Sequence, residues 1–161
     1  MKSHYRAVVI GGGVVGASTL YHLAKMGWND VVLVEKIEYT SGSTWHAAGL
    51  LPLFNMSYSV GKIHKYSVDL YQSLEEETGQ HVSFHKTGNL RLARNQERMD
   101  EYKRYCGTAS TIGVPFEMIG PAEIKKLWPF AKVDDLVGAL FHPDDGHVAP
   151  VDVTMALLKG A

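Results

Sequence analysis

The residues whose types and spacing most clearly indicate a chemical role are the glycines of residues 11–16 and one carboxylate, Glu35. The glycines follow a short apolar run at residues 7–10, and a second apolar run at residues 31–34 ends directly before Glu35. A strand, a glycine turn, a helix and a second strand ending on an acid form the arrangement that binds a dinucleotide, with the acid accepting hydrogen bonds from ribose hydroxyls. The spacing therefore predicts a dinucleotide site.

Each glycine has its own expected role. Gly11 makes the turn out of the first strand, Gly13 leaves room for a pyrophosphate, and Gly16 lets the helix pack closely on the strands. The helix starts at Val14 and Val15, so its free N–H groups and positive dipole end are expected to face the phosphates. The same glycine pattern also occurs in turns that bind nothing, and its place between two strands is what favours a ligand.

A second candidate stretch, Ser-Gly-Ser-Thr-Trp-His-Ala-Ala-Gly-Leu-Leu, occupies residues 41–51. Serine and threonine are helix N-cap residues and Pro52 is a natural stop, so the pattern predicts a short helix of small residues. A helix start so soon after Glu35 suggests another backbone approach to the same ligand. Lys36 lies either near the adenosine end or simply in solvent. The further candidate binding residues are Ser43, Thr44, His46, Gly49 and Leu50.

Composition excludes several classes of function. The chain has 161 residues, 45 % of them hydrophobic, and a net charge of −1, which are values of a globular protein without a basic surface for nucleic acid. No apolar run approaches the ~20 residues of a membrane span. The single cysteine, Cys106, cannot form an intrachain disulfide, and its helical context favours a packing role. The first strand begins close to the N-terminus, so no signal or transit peptide is expected.

Periodicity assigns the remaining elements and an α/β fold class. Helices are expected over residues 14–25, 60–78, 96–111 and 122–127 and from residue 150 onward, and strands over 88–94, 116–119 and 136–141. Residues 81–84 are ambiguous. A doubly wound sheet needs more than two parallel strands, and only the first two are evident here. The sheet is therefore expected to be incomplete and the chain to be a fragment.

Five histidines raise the question of a metal site: His64, His81, His85, His142 and His147. Their spacing gives neither an H-E-x-x-H motif nor a helical H-x-x-x-H pair. His81 and His85 lie in a strand-like segment that shows no acidic ligand nearby. No metal site is predicted. Asp144 and Asp145 stand in a Pro-Asp-Asp-Gly sequence, for which a turn is favoured over a catalytic pair.

The Ser-Thr-Trp-His-Ala-Ala-Gly sequence at residues 43–49 resembles flavin-dependent amine oxidoreductases of the D-amino-acid-oxidase-like superfamily, especially the group of dimethylglycine dehydrogenase, sarcosine dehydrogenase and dimethylglycine oxidase. The similarity extends over residues 8–16, 35–36, 42–50, 74–79, 88–93, 143–147 and 154–157. It implies the N-terminal part of a Rossmann-like FAD-binding domain with a portion of an α+β substrate domain. Residues 1–52 would form the FAD-binding βαβ unit and flavin-attachment helix, 53–149 would bridge the two domains, and 150–161 would start a helix returning to the FAD domain.

The resemblance also implies the cofactor and the reaction. The cofactor would be FAD, joined covalently through His46 to the 8α-methyl group of the flavin. The reaction would be oxidative N-demethylation of a small methylated amino acid. Hydride would pass from the N-methyl carbon to FAD, giving an iminium ion and then formaldehyde, or methylene-tetrahydrofolate on a missing C-terminal domain. Electrons would pass to an electron-transfer flavoprotein or to oxygen. No catalytic residue can be assigned.

Two other functions stay open at this point. The same βαβ unit also serves NAD-linked dehydrogenases, and some relatives are catalytically inactive regulatory subunits that keep the fold. The isolated fragment is expected to be inactive. Trp45 is expected either to pack against the flavin or to anchor the short helix as a buried residue. The expected location is the cytoplasm, or the mitochondrial matrix for a mature eukaryotic chain.

Overall fold

The computed structural model describes residues 2–161, which form two compact units. Residues 2–50 with Leu70–Phe84 and Val148–Ala161 form the first unit, and Leu51–Asp69 with His85–His147 form the second. The helices are α1 (Val14–Lys25), α2 (Tyr58–Thr78), α3 (Gln96–Ile112), α4 (Pro121–Leu127) and α5 (Pro150–Gly160). The strands are β1 (Ala7–Ile10), β2 (Val31–Val34), β3 (Leu50–Leu51), β4 (His85–Lys86), β5 (Asn89–Ala93), β6 (Glu117–Ile119), β7 (Gly138–His142) and β8 (Gly146–His147).

The first unit contains the predicted βαβ arrangement, with bounds that agree with the prediction. Strands β1 and β2 pair in parallel, with Ala7 opposite Val31 and α1 as the crossover. Helix α5 packs against α1, where a Cβ on Gly160 would lie 3.0 Å from the ring of the buried Tyr21. Val8 and Ile10 are exposed on β1, whereas a parallel sheet is ordinarily covered on both faces. Over these residues the sheet is incomplete, as expected.

The second unit is built on an antiparallel sheet in the order β5-β7-β6. Side chains alternate between the faces of a strand. Ala139 of β7 packs with Ile124 of α4 and Ala131 in one hydrophobic cluster. Helix α3 contacts β5 and β7, and its residue Tyr105 bonds His142 of β7. The unit therefore has the α+β character that the sequence predicts.

The predicted helix over residues 41–51 is wrong. The structure has one 3₁₀ turn at Thr44–His46, followed by an extended Ala47 and by β3. Gly49 adopts a left-handed conformation with φ +71°, and its carbonyl accepts a 2.9 Å hydrogen bond from Val148 N–H. This long-range backbone contact replaces the local bonds that a helix needs. The two-residue strands β3, β4 and β8 were also not predicted, because runs so short carry no periodic signal.

Both backbone polar groups of Leu53 bond buried side chains of the second unit. Leu53 N–H donates to Asp145 Oδ1 at 2.9 Å, and the Tyr105 hydroxyl donates to the Leu53 carbonyl at 3.1 Å. His142 Nε2 lies 3.1 Å from the same hydroxyl oxygen. Since that hydroxyl has one proton, already donated to Leu53, His142 must donate from Nε2, which assigns its neutral tautomer. Asp145 is thus a buried structural carboxyl group directly after a turn.

Replacing Tyr105 with phenylalanine is expected to lower the free energy of unfolding by about 3 kcal/mol, because the Leu53 carbonyl and the His142 N–H would stay buried without partners. Tyr102→Phe is the matched control, since it removes a single 3.3 Å bond to the Leu92 carbonyl and should cost about 1 kcal/mol. Denaturant titration of the intact protein measures both values. Equal losses would contradict the importance of the Tyr105 bonds.

Candidate nucleotide-binding site

The glycine loop joins β1 to α1 through an unusually close backbone contact. Gly11 has φ +107°, which turns the chain off the strand as expected. A Cβ on Gly16 would lie 1.9 Å from the Gly11 carbonyl oxygen and 3.5 Å from the Val9 side chain. The start of the helix therefore packs directly on the turn and the strand, which is the role predicted for Gly16.

A cavity of about 490 Å³ lies against this loop. Seven predicted binding residues line it: Gly11, Gly13, Val14, Val15, Gly16, Ser43 and Thr44. Residues that are about 30 positions apart in sequence thus meet at the N-terminus of α1. Helix N-termini carry N–H donors and a partial positive charge, so this cavity is chemically suited to phosphate oxygens.

Thr44 connects the two predicted stretches. Its Oγ1 accepts a 3.0 Å hydrogen bond from Val14 N–H, and the residue is 7 % exposed. A Cβ on Gly13 would lie 2.9 Å from the same Oγ1, so the missing side chain at Gly13 admits Thr44. The hydroxyl caps α1, whose own N-cap Gly13 has no side chain, and it keeps one proton to donate into the cavity.

Glu35 is held ionised by backbone donors. Its Oε2 accepts from Gly12 N–H at 2.7 Å, and its Oε1 accepts from the N–H groups of Lys36 and Ile37 at 2.6 and 3.0 Å. The Gly12 bond is the largest cause of a lowered pKa for this carboxyl. Glu35 lines a second cavity of about 540 Å³, together with Tyr39. An oriented anionic acceptor at the end of β2 can bind ribose hydroxyls.

His46 ends the 3₁₀ turn and is exposed. The Trp45 ring lies over it, with 3.7 Å between ring centroids and an angle of 33° between planes. Trp45 is 57 % exposed, so its expected alternative role as a buried anchor is wrong. Ala47, next to His46, lines the cavity at the glycine loop.

The other predicted site residues lie outside the two cavities. Gly49 packs on the backbone of Val148, where a Cβ added to Gly49 would lie 2.0 Å from the Val148 carbonyl oxygen. Leu50 and Lys36 are exposed. Whether these three residues contact a ligand stays a prediction.

The histidines have partners other than a metal. His81 Nδ1 lies 2.8 Å from Glu75 Oε2, so the expectation that no acid lies near His81 is wrong. His85 and His147 face each other on β4 and β8, with 4.9 Å between ring centroids. Over residues 2–161, no three His, Cys, Asp or Glu side chains group as a metal site. Burial raises the pKa of the Cys106 thiol, which keeps it protonated and agrees with a packing role.

Residues 6–161 match the model of a protein family described as FAD dependent oxidoreductase. The chain belongs to this family. Mitochondrial dimethylglycine dehydrogenase of Rattus norvegicus is 48 % identical over 160 residues, which cover 99 % of this chain and 19 % of that protein. A mitochondrial pyruvate dehydrogenase phosphatase regulatory subunit of Mus musculus is 40 % identical over 161 residues, covering 100 % of this chain and 18 % of that protein.

Solved structures agree with this FAD-dependent oxidoreductase fold. The crystal structure of L-proline dehydrogenase from P. horikoshii matches with a TM-score of 0.90 at 32 % identity, covering 99 % of this chain and 42 % of that one. The chain spans about a fifth of the length of the curated relatives above. No helix within residues 2–161 has the length and apolar character needed to cross a membrane.

The residues of the first unit fit the ADP half of FAD. The missing side chains at Gly13 and Gly16 bring backbone and the Thr44 hydroxyl to the N-terminus of α1, where diphosphate oxygens need donors. The ionised Glu35 lines the other cavity, and its carboxylate is chemically suited to ribose hydroxyls. The sequence singled out these residues, but it gave no separate role to Gly12, whose N–H bonds Glu35, or to Tyr39, which lines the cavity with Glu35.

Proposed function

We propose that the full-length protein is an FAD-dependent amine oxidoreductase that demethylates a small methylated amino acid of the dimethylglycine or sarcosine type. The observation that carries this proposal is the phosphate and ribose cradle of the glycine loop, Thr44 and Glu35 in a chain of the FAD-dependent oxidoreductase family. The 48 % identity to dimethylglycine dehydrogenase supports the choice of substrate class.

The residues of this chain hold and orient the cofactor. The N–H groups at the start of α1 that Thr44 leaves free and the Thr44 hydroxyl would donate to the diphosphate, and the Glu35 carboxylate would accept from ribose. FAD, when bound, would supply the acceptor for a hydride from the N-methyl carbon, and water would hydrolyse the resulting substrate iminium to formaldehyde and the demethylated amine. Capture of the one-carbon unit by tetrahydrofolate and electron transfer to an electron-transfer flavoprotein or oxygen belong to the same proposal.

His46 is proposed as the covalent attachment point of the flavin. A neutral imidazole offers a nucleophilic ring nitrogen near neutral pH. The residue is exposed on a short turn, two positions after Thr44 and directly before Ala47, both of which line the cavity at the glycine loop. The Trp45 ring lies against the imidazole, with 3.7 Å between ring centroids.

Acid precipitation of the full-length protein tests the attachment. The yellow colour is expected to stay with the wild-type precipitate and to pass entirely into the supernatant for His46→Ala. His81→Ala serves as the control, because His81 is an exposed histidine that bonds Glu75 away from the cavities, and it should keep the colour in the precipitate. Complete release of colour from the wild-type protein would contradict a covalent bond.

Anaerobic mixing with dimethylglycine or sarcosine tests the reaction. Bleaching of the flavin absorbance by either amine is expected for the proposed enzyme. The 40 % identity to a phosphatase regulatory subunit makes a non-catalytic flavoprotein the second candidate, and a flavin that stays oxidised with both amines would favour it. The family match disfavours the NAD-linked alternative, and absence of any flavin spectrum would contradict the proposed FAD cofactor. The proposed location is the mitochondrial matrix for a eukaryotic chain and the cytoplasm otherwise.

A further inference from the structure

The second cavity of the first unit is lined by an aromatic residue, Tyr39, to which the proposed function gives no role. The cavity measures about 540 Å³ and lies along β2 and the segment that follows this strand. Its lining residues are Val32, Leu33, Val34, Glu35, Ile37, Glu38 and Tyr39. Tyr39 is the aromatic member of this set and is 49 % exposed, so a large part of its surface is available to a ligand.

The glycine loop places Tyr39 firmly. A Cβ on Gly12 would lie 2.5 Å from Cδ1 of the Tyr39 ring, so the ring packs directly on the loop backbone. The next residue, Thr40, is 7 % exposed and donates its N–H to the Gly12 carbonyl at 3.0 Å. Gly12 N–H donates to Glu35. Both polar groups of Gly12 thus bind the segment that carries Tyr39, and these bonds hold the segment against the glycine loop.

The chemistry of the cavity matches a nucleoside better than a phosphate. Glu35 is ionised and Glu38 is a second carboxylate on the lining, so the local charge disfavours an anion. Tyr39, Val34 and Ile37 make part of the cavity lining aromatic and apolar. A purine ring stacks on such an aromatic face, while its ribose can reach the carboxylate. The phosphates are left to the cavity at α1.

We propose that Tyr39 is a binding residue for the adenosine half of the cofactor and that its ring packs against the adenine. This inference rests on the proposed FAD cofactor. Tyr39 contributes to affinity through its aromatic face, so Tyr39→Phe keeps the contribution and Tyr39→Ala loses it. The loss expected from removing one base–aromatic contact is a weakening of FAD binding of about 10- to 100-fold.

The experiment uses the full-length protein with His46→Ala as the parent, so that flavin binds reversibly. Dissociation constants for FAD and FMN are measured by flavin fluorescence, and the constant for ADP by displacement of FAD. Tyr39→Ala should weaken FAD and ADP by the same factor and leave FMN, which has no adenosine, unchanged. Tyr58→Ala is the matched control, because Tyr58 is similarly exposed, at 48 %, and lies on α2.

Several outcomes would overturn the inference. An unchanged ADP constant in Tyr39→Ala would show that the ring does not contact adenosine. Equal weakening of FAD and FMN would show that the substitution only disturbs the glycine loop. A Tyr39→Phe variant as weak as Tyr39→Ala would assign the effect to the hydroxyl. Absence of flavin from the wild-type full-length protein would instead overturn the proposed cofactor, and the assignment of Tyr39 with it.

Discussion

Replacing Gly16 with alanine is expected to abolish tight FAD binding by the intact protein. The new Cβ would lie 1.9 Å from the Gly11 carbonyl oxygen, a distance that no carbon atom tolerates. The atom it meets is backbone rather than the end of a flexible side chain, so the turn must open. Alanine has the better helix propensity, by about 1 kcal/mol, but overpacking of this kind costs about 3 kcal/mol. Steric repulsion therefore dominates.

The dissociation constant for FAD is expected to rise at least about 100-fold in Gly16→Ala, measured by flavin fluorescence in the His46→Ala background. Gly107→Ala is the control. Gly107 lies within α3, and a Cβ there meets nothing within 4 Å. That variant should keep its FAD affinity and gain about 0.5–1 kcal/mol of stability. Unchanged FAD affinity in Gly16→Ala would contradict the role given to the glycine loop.

Two substitutions in the second unit should reveal opposite pH dependences that cancel in the wild-type protein. Burial raises the pKa of Asp145 from 3.8 to about 6, and burial lowers the pKa of His142 from 6.5 to about 4. Between pH 4 and 6 the unfolded chain releases the Asp145 proton while the folded chain keeps it, so this residue makes stability fall as pH rises. His142 binds its proton in the unfolded chain only, so it makes stability rise over the same range.

Each of these pKa shifts corresponds to about 3 kcal/mol. Asp145→Asn keeps an acceptor for the Leu53 N–H and removes the titration, so its free energy of unfolding relative to wild type should rise by about 3 kcal/mol from pH 4 to 6. His142→Gln keeps a donor for the Tyr105 oxygen, and its relative stability should fall by a similar amount. Denaturant titrations at pH 4, 5, 6 and 7 measure the pH dependence of stability for both variants. Curves parallel to wild type would contradict the opposite contributions of Asp145 and His142.

Local sequence predicted the βαβ unit closely. The bounds of β1, α1 and β2 agree with the apolar runs and the glycine spacing, because neighbours along the chain determine these elements. The position of Glu35 at the end of β2 follows from the same local order. The contact between the glycine loop and Thr44 follows from that order only in part. Gly49 marks the limit, since its contact with Val148 comes from a residue far along the chain and replaces the helix that residues 41–51 favour.

By itself, the sequence determined the nucleotide fingerprint, the family resemblance and the order of the main helices and strands. Their signals are periodic patterns and spacings of a few residues. Only the tertiary structure decided that Tyr39 lies on Gly12 in a cavity with Glu35, and that Asp145 and Tyr105 hold the backbone of Leu53. Burial and hydrogen-bond partners of single side chains depend on residues distant in sequence, and no local pattern specifies them.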